Sequence, residues 1–314
     1  MQKILVLGGT GFVGRHVCEA LVRAGLQVTV ATRRAKHAAA VQTLPGLEVL
    51  EANVHSDTDL ARLLPGHSAV VNLVAILHGN ARRFQQVHVD LPSRLVQAMA
   101  QAGVKRLVHI SALGAAAEGP SRYLASKHAG ETAVRNSALD WTVLRPSVVF
   151  GAEDRLLNTF ARLQTCAPVV PLAGADTRFQ PVWVGDVAQA VARSLQSSSG
   201  VGQVYELVGP ETLTLADLVR VAGRLSGHPR PVIGLPVALG YFQAALLQCL
   251  PGEPLMSTDN LRSMEVDNVA SGQHPGLLDL GITASALEPV AALYLDGQGR
   301  ADPLLRVRSA ASGH

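Results

Sequence analysis

The sequence has few cysteines, few aromatic residues and no long run of basic residues, and each shortage excludes a class of protein. Its three cysteines, Cys18, Cys166 and Cys249, lie far apart. They form neither a disulfide framework nor a pair with metal-ligand spacing, and the eleven histidines form no such pair either, so we expect no metal site. Aromatic residues make up 4% of the chain and the formal net charge is only +3. We therefore expect no nucleic-acid partner.

The chain also lacks the features that mark an exported or membrane-spanning protein. Strand-like sequence begins at Ile4, and a signal peptide needs a longer apolar stretch before the fold starts, so we expect none. No apolar run of 18 residues is uninterrupted, and the nearest, residues 232–250, contains Pro236 and Gly240. We expect a cytoplasmic protein that can lie at the periphery of the inner membrane. The sequence does not indicate an oligomeric state.

The first half of the chain alternates short apolar runs with helical patterns. This alternation predicts an α/β fold with a doubly wound parallel Rossmann sheet, because parallel strands need crossover helices. The predicted strands are 4–7, 27–32, 47–50, 69–75, 106–111 and 141–146. The predicted helices are 11–24, a polar alanine-rich segment after the second strand, and 56–64, 80–102 and 121–136.

The alternation fades after Gly151, where prolines become frequent. We predict a cofactor-binding domain over residues 1–152 and a smaller, less regular C-terminal domain over 153–295, which can exchange elements with the first. Residues 296–314 are polar and rich in Ser and Gly, and we predict a loose tail there.

A glycine-rich loop follows the first predicted strand and opens the first predicted helix. Such a loop lets a dinucleotide pyrophosphate approach the backbone and the free amides at the helix N-terminus. We assign to the cofactor site Gly8, Thr10, Gly11, Phe12, Val13 and Gly14 from this loop. Further contacts are expected where predicted strands end, at Asn53, Val54, Val74, Ala75, Ile110, Pro146 and Val149.

The end of the second predicted strand indicates which dinucleotide is bound. NAD-selective sites place a carboxylate there for the ribose 2′-hydroxyl, whereas this strand is followed by Arg33 and Arg34. Guanidinium groups bind a phosphate through charge-assisted hydrogen bonds. The alternative is a solvated basic turn. We predict NADP(H) as the cofactor.

Tyr123 and Lys127 lie four residues apart on one face of a predicted helix. A nearby ammonium favours the phenolate and lowers the pKa of a tyrosine, so this pair predicts a general acid or base near the nicotinamide. The alternative is a chance spacing.

Taken together, these motifs resemble the short-chain dehydrogenase/reductase superfamily. The resemblance also covers Asn72, Ser111, and Arg145-Pro146 with Gly151. It implies that Ser111 holds a substrate oxygen, that Tyr123 transfers a proton and that Lys127 binds the ribose. Extended members usually carry a second Ser or Thr where this chain has Ala112.

A narrower resemblance is to the alpha-subcomplex subunit nine family, the Rossmann-type accessory subunit of respiratory complex I. It covers residues 121–131, 145–160, 180–187 and 257–261. It implies an atypical NADPH-binding member with a structural cofactor and a respiratory-complex partner.

Three functions remain open at the level of the sequence. The first is a scaffold, assembly or redox-sensing protein that holds NADP(H) without turning it over. The second is an active NADP-dependent reductase, epimerase or dehydratase that uses Tyr123 and Lys127 on a small or lipid-like substrate. The third is regulation by cofactor sensing alone. The apolar stretch 231–255 is predicted to be either a buried helix over the cleft or a face that contacts a membrane surface or a membrane-bound partner.

Overall fold

A seven-stranded parallel sheet forms the centre of the protein. The structure is a computed structural model, and it describes residues 2–236, 238–241 and 257–295. The strands are β1 (Lys3–Leu7), β2 (Gln27–Thr32), β3 (Leu47–Glu51), β4 (Ala69–Asn72), β5 (Arg106–Ile110), β6 (Asp140–Pro146), β7 (Val149–Phe150), β8 (Val170–Ala173), β9 (Arg178–Phe179), β10 (Val182–Trp183), β11 (Gln203–Leu207), β12 (Leu213–Thr214) and β13 (Val232–Leu235). The sheet order is β11-β6-β5-β4-β1-β2-β3.

Helices cover both faces of this sheet, which confirms the predicted doubly wound Rossmann fold. The helices are α1 (Phe12–Arg23), α2 (Asp57–Leu63), α3 (Ala81–Phe84), α4 (Leu91–Ala102), α5 (Arg122–Arg135), α6 (Leu156–Cys166), α7 (Val184–Gln196), α8 (Leu215–Leu225), α9 (Thr258–Ser263) and α10 (Leu287–Leu295). The structure also contains short 3-10 helices at Ala35–Ala38 and Leu278–Leu280 and a π-helical turn at Gln85–Asp90.

The apolar side chains of the strands and the apolar faces of the helices form a hydrophobic core on each face of the sheet. On one face, α1 buries Val17, Cys18 and Leu21 against the sheet and packs beside α7. On the other face, Leu95 and Met99 of α4 join the second apolar cluster. The order of the strands reverses beside β1, between β1 and β4, and an open α/β sheet binds ligands in the crevice at such a point.

The polar segment after β2 departs from its predicted helix. Only the 3-10 turn Ala35–Ala38 forms, because this segment buries little apolar surface and Pro45-Gly46 ends it. The predicted strand 69–75 also ends earlier, at Asn72, whose side-chain oxygen accepts the backbone N–H of Val74 at 3.2 Å.

The predicted helix 80–102 is interrupted by the π-helical turn. Pro92 has no N–H to donate to the carbonyl of His88 four residues earlier, so the regular helical bond cannot form there. Helix α5 packs closely against the same carbonyl, since a Cβ on Gly130 would lie 1.7 Å from the His88 oxygen.

The chain after Gly151 forms small paired strands and a separate apolar cluster with α6, α8 and α10. Polar contacts attach this part to the sheet: the Asp186 carboxylate accepts the amide and hydroxyl of Ser285, and the Glu206 carboxylate accepts those of Ser271. Helix α7 and strand β11 return to the central sheet. The proposed domain boundaries therefore stay a prediction, and residues 296–314 lie outside the described residues.

Candidate nucleotide-binding site

The glycine loop joins β1 to α1 at the point where the sheet order reverses. Gly8 has a φ of +84°, a left-handed conformation that favours glycine, and its oxygen accepts the Gly11 N–H at 3.1 Å. A Cβ on Gly14 would lie 2.2 Å from that oxygen. Gly11 is exposed and begins the helix without a side-chain cap. The first amides of α1 are therefore available to an anion, and the residues present fit a pyrophosphate.

A basic turn follows β2 at the same edge of the sheet. Arg33 and Arg34 are exposed, and their guanidinium groups make no hydrogen bond or ion pair with any other described residue. Nearby, the pKa of His55 is lowered by burial first and then by Arg33 and Arg94. Asp90 opposes this lowering. Arg33 and Arg34 thus provide two exposed positive charges at this end of the cleft.

One carboxylate does reach this turn, although it comes from the neighbouring strand. Glu51 at the end of β3 pairs in register with Thr32, and its Oε1 accepts the Ala35 N–H at 2.6 Å. The sequence analysis missed Glu51, because pairing of β2 with β3 is visible only in the folded chain. Its carboxylate is bound to the backbone rather than to Arg33 or Arg34.

The other assigned residues lie where neighbouring strands end. Parallel pairing aligns Leu7 with Asn72 and Asn72 with His109, so the segments that follow β1, β4 and β5 share one edge. Val74, Ala75 and Ile110 lie along it, Asn53 and Val54 follow β3, and Pro146 ends β6. Val149 lies on β7, outside the central sheet, and packs against the core.

Tyr123 and Lys127 lie on the first two turns of α5, with Ser121 as the N-cap. The Lys127 ammonium is buried and donates to the carbonyl of Ile110 at 2.6 Å, which places it beside the ends of β4 and β5. Burial lowers the pKa of Lys127 to about 8, against the opposing effect of Glu131.

Tyr123 differs from the sequence-based expectation in its acidity. Burial raises the pKa of Tyr123 to about 12, so desolvation outweighs the expected effect of the lysine. The phenol packs edge-on to the rings of His88 and Phe84, at centroid distances of 5.6 and 6.3 Å. Tyr123 is therefore a neutral phenol at physiological pH and a weaker acid than an exposed tyrosine.

Ser111 is buried directly after the end of β5. Its Oγ is buried and makes no hydrogen bond of good geometry with the described residues. It nevertheless lies close enough to Glu131 to contribute to the lowered pKa of that carboxyl, which is lowered chiefly by the bidentate Arg145 pair against burial. Ala112 is also buried and offers no hydroxyl.

His88 is a functional candidate that sequence reasoning missed. It is 2% exposed, accepts the Ile76 N–H at Nε2 (3.1 Å), and its Nδ1 lies 2.8 Å from the Ser126 hydroxyl, which donates to the carbonyl of Tyr123. Because Nε2 is the acceptor, Nδ1 carries the proton and donates. Burial lowers the pKa of His88 to about 3, and Lys127 adds to this effect. His88 therefore fixes the segment after β4 to α5 as a neutral imidazole.

Comparison with known proteins assigns the chain to a family. A family model described as NAD(P)H-binding matches residues 8–198, more than half of the chain. The chain belongs to this NAD(P)H-binding family. The matched range contains the glycine loop, the basic turn, Tyr123 and Lys127. The described parts of this NAD(P)H-binding protein contain no group of three or more His, Cys, Asp or Glu side chains that could hold a metal ion.

Three individual proteins resemble this family member over most of its length. The mitochondrial NADH dehydrogenase [ubiquinone] 1 alpha subcomplex subunit 9 of Mus musculus is 31% identical, over 90% of this chain and 77% of its own. A ceramide reductase of Caulobacter vibrioides is 27% identical, over 74% and 73%. The NADPH complex of the NADPH-dependent quinone oxidoreductase QOR2 from Escherichia coli has the same fold, with a TM-score of 0.74 at 21% identity over 93% of this chain and 99% of its own.

Proposed function

We propose that this NAD(P)H-binding protein prefers NADP(H) and binds it without turning it over. On this proposal the protein serves as a scaffold, an assembly factor or a redox sensor. The observation that carries the cofactor preference is the free guanidinium pair of Arg33 and Arg34 at the end of β2. A nicotinamide cofactor supplies or accepts a hydride when bound. On this proposal the glycine loop and the first amides of α1 hold the pyrophosphate, and the two arginines bind the 2′-phosphate.

Titration of the purified protein with NADPH and NADH, followed by nicotinamide fluorescence, tests the preference. Charge-assisted hydrogen bonds contribute about 1.5–3 kcal/mol each. Replacing Arg33 and Arg34 by Ala should therefore lower the affinity for NADPH by at least about tenfold and change the affinity for NADH little. Arg23→Ala, an exposed change at the other end of α1, is the control. Equal affinity of the unaltered protein for NADPH and NADH contradicts the preference.

A structural role for the cofactor is supported by the buried Ser111 hydroxyl, by Ala112 and by the raised pKa of Tyr123. An ordinary reductase holds its substrate oxygen with an accessible hydroxyl next to an acidic phenol. We expect NADPH to remain reduced in the protein when carbonyls and quinones are added. Rapid loss of nicotinamide fluorescence with any of them favours the second function instead.

That second function is an active NADP-dependent reductase, epimerase or dehydratase. It is favoured by Tyr123 and Lys127 on one helix face, and by the names of the Caulobacter ceramide reductase and the Escherichia coli quinone oxidoreductase. In that case Tyr123→Phe abolishes turnover but leaves cofactor binding nearly intact, because the phenol donates the proton while Lys127 holds the ribose.

We further propose a respiratory-complex or membrane-surface partner, in line with the name of the mouse relative. No described helix is both long and apolar enough to cross a membrane. Of the apolar stretch 231–255, the described part holds β13 and residues 238–241, where Ile233 and Leu239 are each 54% exposed, and the rest lies outside the described residues. Liposome flotation, with Ile233→Ser and Leu239→Ser as variants, tests attachment. Absence of flotation in the unaltered protein contradicts direct membrane binding.

A further inference from the structure

A cavity of about 370 Å³ lies beside the first turn of α5. Its wall includes His78 and Asn80 from the segment after β4, Phe84 from α3, Arg122 from α5, and Asp259 and Arg262 from α9. Two contacts fix the cavity next to Tyr123: the Phe84 ring packs against the Tyr123 ring, and the Asp259 carboxylate accepts the Tyr123 N–H at 3.0 Å. The cavity is distinct from the glycine loop and the basic turn, which contribute none of its lining residues.

The cavity wall carries more positive than negative charge, with two arginines and one aspartate. Neither Arg122 nor Arg262 forms an ion pair with a carboxylate of the described residues. The one carboxylate in the wall, Asp259, already accepts two backbone amides, those of Arg122 at 2.9 Å and Tyr123 at 3.0 Å. The wall thus holds two arginines and one carboxylate that is bound to the backbone. The Arg262 guanidinium also interacts with the Tyr241 hydroxyl, which donates to Glu265 at 2.7 Å. A pair of guanidinium groups binds oxyanions through planar, charge-assisted hydrogen bonds.

His78 also lines the cavity. The pKa of His78 is lowered by burial first and then by Arg155, with Asp259 opposing, so the imidazole is neutral at physiological pH. The charge of the wall therefore comes from Arg122, Arg262 and Asp259.

We propose that this cavity binds the anionic end of a small organic molecule, a carboxylate or a phosphate, between Arg122 and Arg262. The body of the ligand then lies toward Phe84 and Tyr123. This inference goes beyond the cofactor site and does not depend on which nicotinamide cofactor is bound or on whether that cofactor is turned over.

Ligand-observed NMR titration with three probes of similar size tests the proposal. Benzoate and phenyl phosphate carry the two anionic groups, and benzamide has the shape of benzoate without its charge. Each probe is titrated with and without saturating NADPH, which separates this cavity from the phosphate sites of the cofactor. The variants are Arg122→Gln, Arg262→Gln and both together, with Arg82→Gln on α3, outside the cavity wall, as the matched control.

We expect at least one anionic probe to bind with NADPH present, at least tenfold more tightly than benzamide. The double variant should lose at least tenfold in that affinity, and the control should lose none. Whichever of benzoate and phenyl phosphate binds more tightly identifies the anionic group. Equal binding of benzoate and benzamide, no binding of either anion, or unchanged affinity in the double variant overturns the proposal. Separate titration of NADPH tells the two proposals apart: failure of NADPH to bind while an anion binds contradicts only the cofactor assignment.

Discussion

The Asp259 carboxylate accepts the backbone N–H of Tyr123, a residue that lies 136 positions earlier in the chain. It also accepts the Arg122 N–H, so the first two amides of α5 are satisfied from the C-terminal part of the protein. Since α5 carries Tyr123 and Lys127, the position of α9 helps to set the position of the proposed site. Ser263 reinforces the contact by donating to the Ser121 hydroxyl at 2.8 Å.

Removal of this cap should destabilise the protein measurably. Asp259→Ala leaves two helix amides without their acceptor, and loss of a cap of this kind costs about 1–2 kcal/mol. Urea unfolding of the variant should show that decrease in the free energy of unfolding. The control is Asp57→Ala, which removes a carboxylate that is 79% exposed. Equal decreases in the two variants would mean that the Asp259 contact contributes nothing of its own.

Two glycines of the loop should respond to the same substitution in different ways. Gly14→Ala places a Cβ 2.2 Å from the Gly8 oxygen and 2.7 Å from the Gly9 Cα, so we expect the loss of about 3 kcal/mol or more of stability. Gly11 has a φ of −78°, and its Cβ would meet only the Gly8 oxygen at 3.4 Å. Gly11→Ala should therefore fold normally.

The same Gly11→Ala variant should bind NADPH at least about tenfold more weakly, because its methyl group stands where the pyrophosphate approaches the backbone. Circular dichroism melting and NADPH fluorescence separate the two effects. Full cofactor affinity in Gly11→Ala, with an intact fold, would falsify the assignment of the loop to the pyrophosphate.

The neutral His88 should make the protein sensitive to acid. Its pKa is about 3 in the folded protein and about 6.5 in an unfolded chain, so between these values only the unfolded state takes up the proton. The free energy of unfolding should therefore fall by about 1.4 kcal/mol per pH unit as the pH decreases from 6 to 4 on account of this group. His88→Gln keeps hydrogen-bonding capacity without the titration.

Urea unfolding at several pH values should thus show a shallower pH dependence for His88→Gln than for the unaltered protein. Gln42→Ala, at an exposed position after β2 with no titratable side chain, is the control and should leave the slope unchanged. Parallel slopes for all three proteins would place the acid sensitivity elsewhere.

Lys127 should contribute to cofactor binding at the expense of stability. Its pKa is lowered to about 8, so at pH 7 the buried ammonium costs about 3 kcal/mol relative to the unfolded chain, partly offset by the bond to the Ile110 carbonyl. Lys127→Met should raise the free energy of unfolding by about 1–2 kcal/mol at pH 7 and lower the affinity for NADPH by at least about tenfold.

The gain in stability should shrink above pH 8, where the folded protein releases the Lys127 proton and the unfolded chain keeps it. Urea unfolding at pH 7 and pH 10, together with NADPH titration, measures both effects. A variant that is less stable at pH 7, or one that binds NADPH normally, contradicts this account of Lys127.

The local sequence determined the nucleotide-binding architecture, because its signals are contained within single elements. The apolar run before Gly8, the glycine spacing and the Tyr123–Lys127 spacing each depend on residues close together in the chain. These signals predicted the Rossmann sheet and its cofactor-binding edge. They also indicated the basic turn at Arg33 and Arg34, since the end of a strand is a local feature.

Only the tertiary structure decided what surrounds that edge. Glu51 reaches the basic turn through the pairing of β2 with β3, and His88 meets Ser126 and Ile76 through the packing of a π-helical turn on α5. Asp259 caps α5 from α9, and burial sets the pKa values of Tyr123 and Lys127. These relationships arise only when segments far apart in the chain pack together and exclude water. A pattern within one short stretch of sequence therefore cannot show which side chains will meet or how deeply they will be buried.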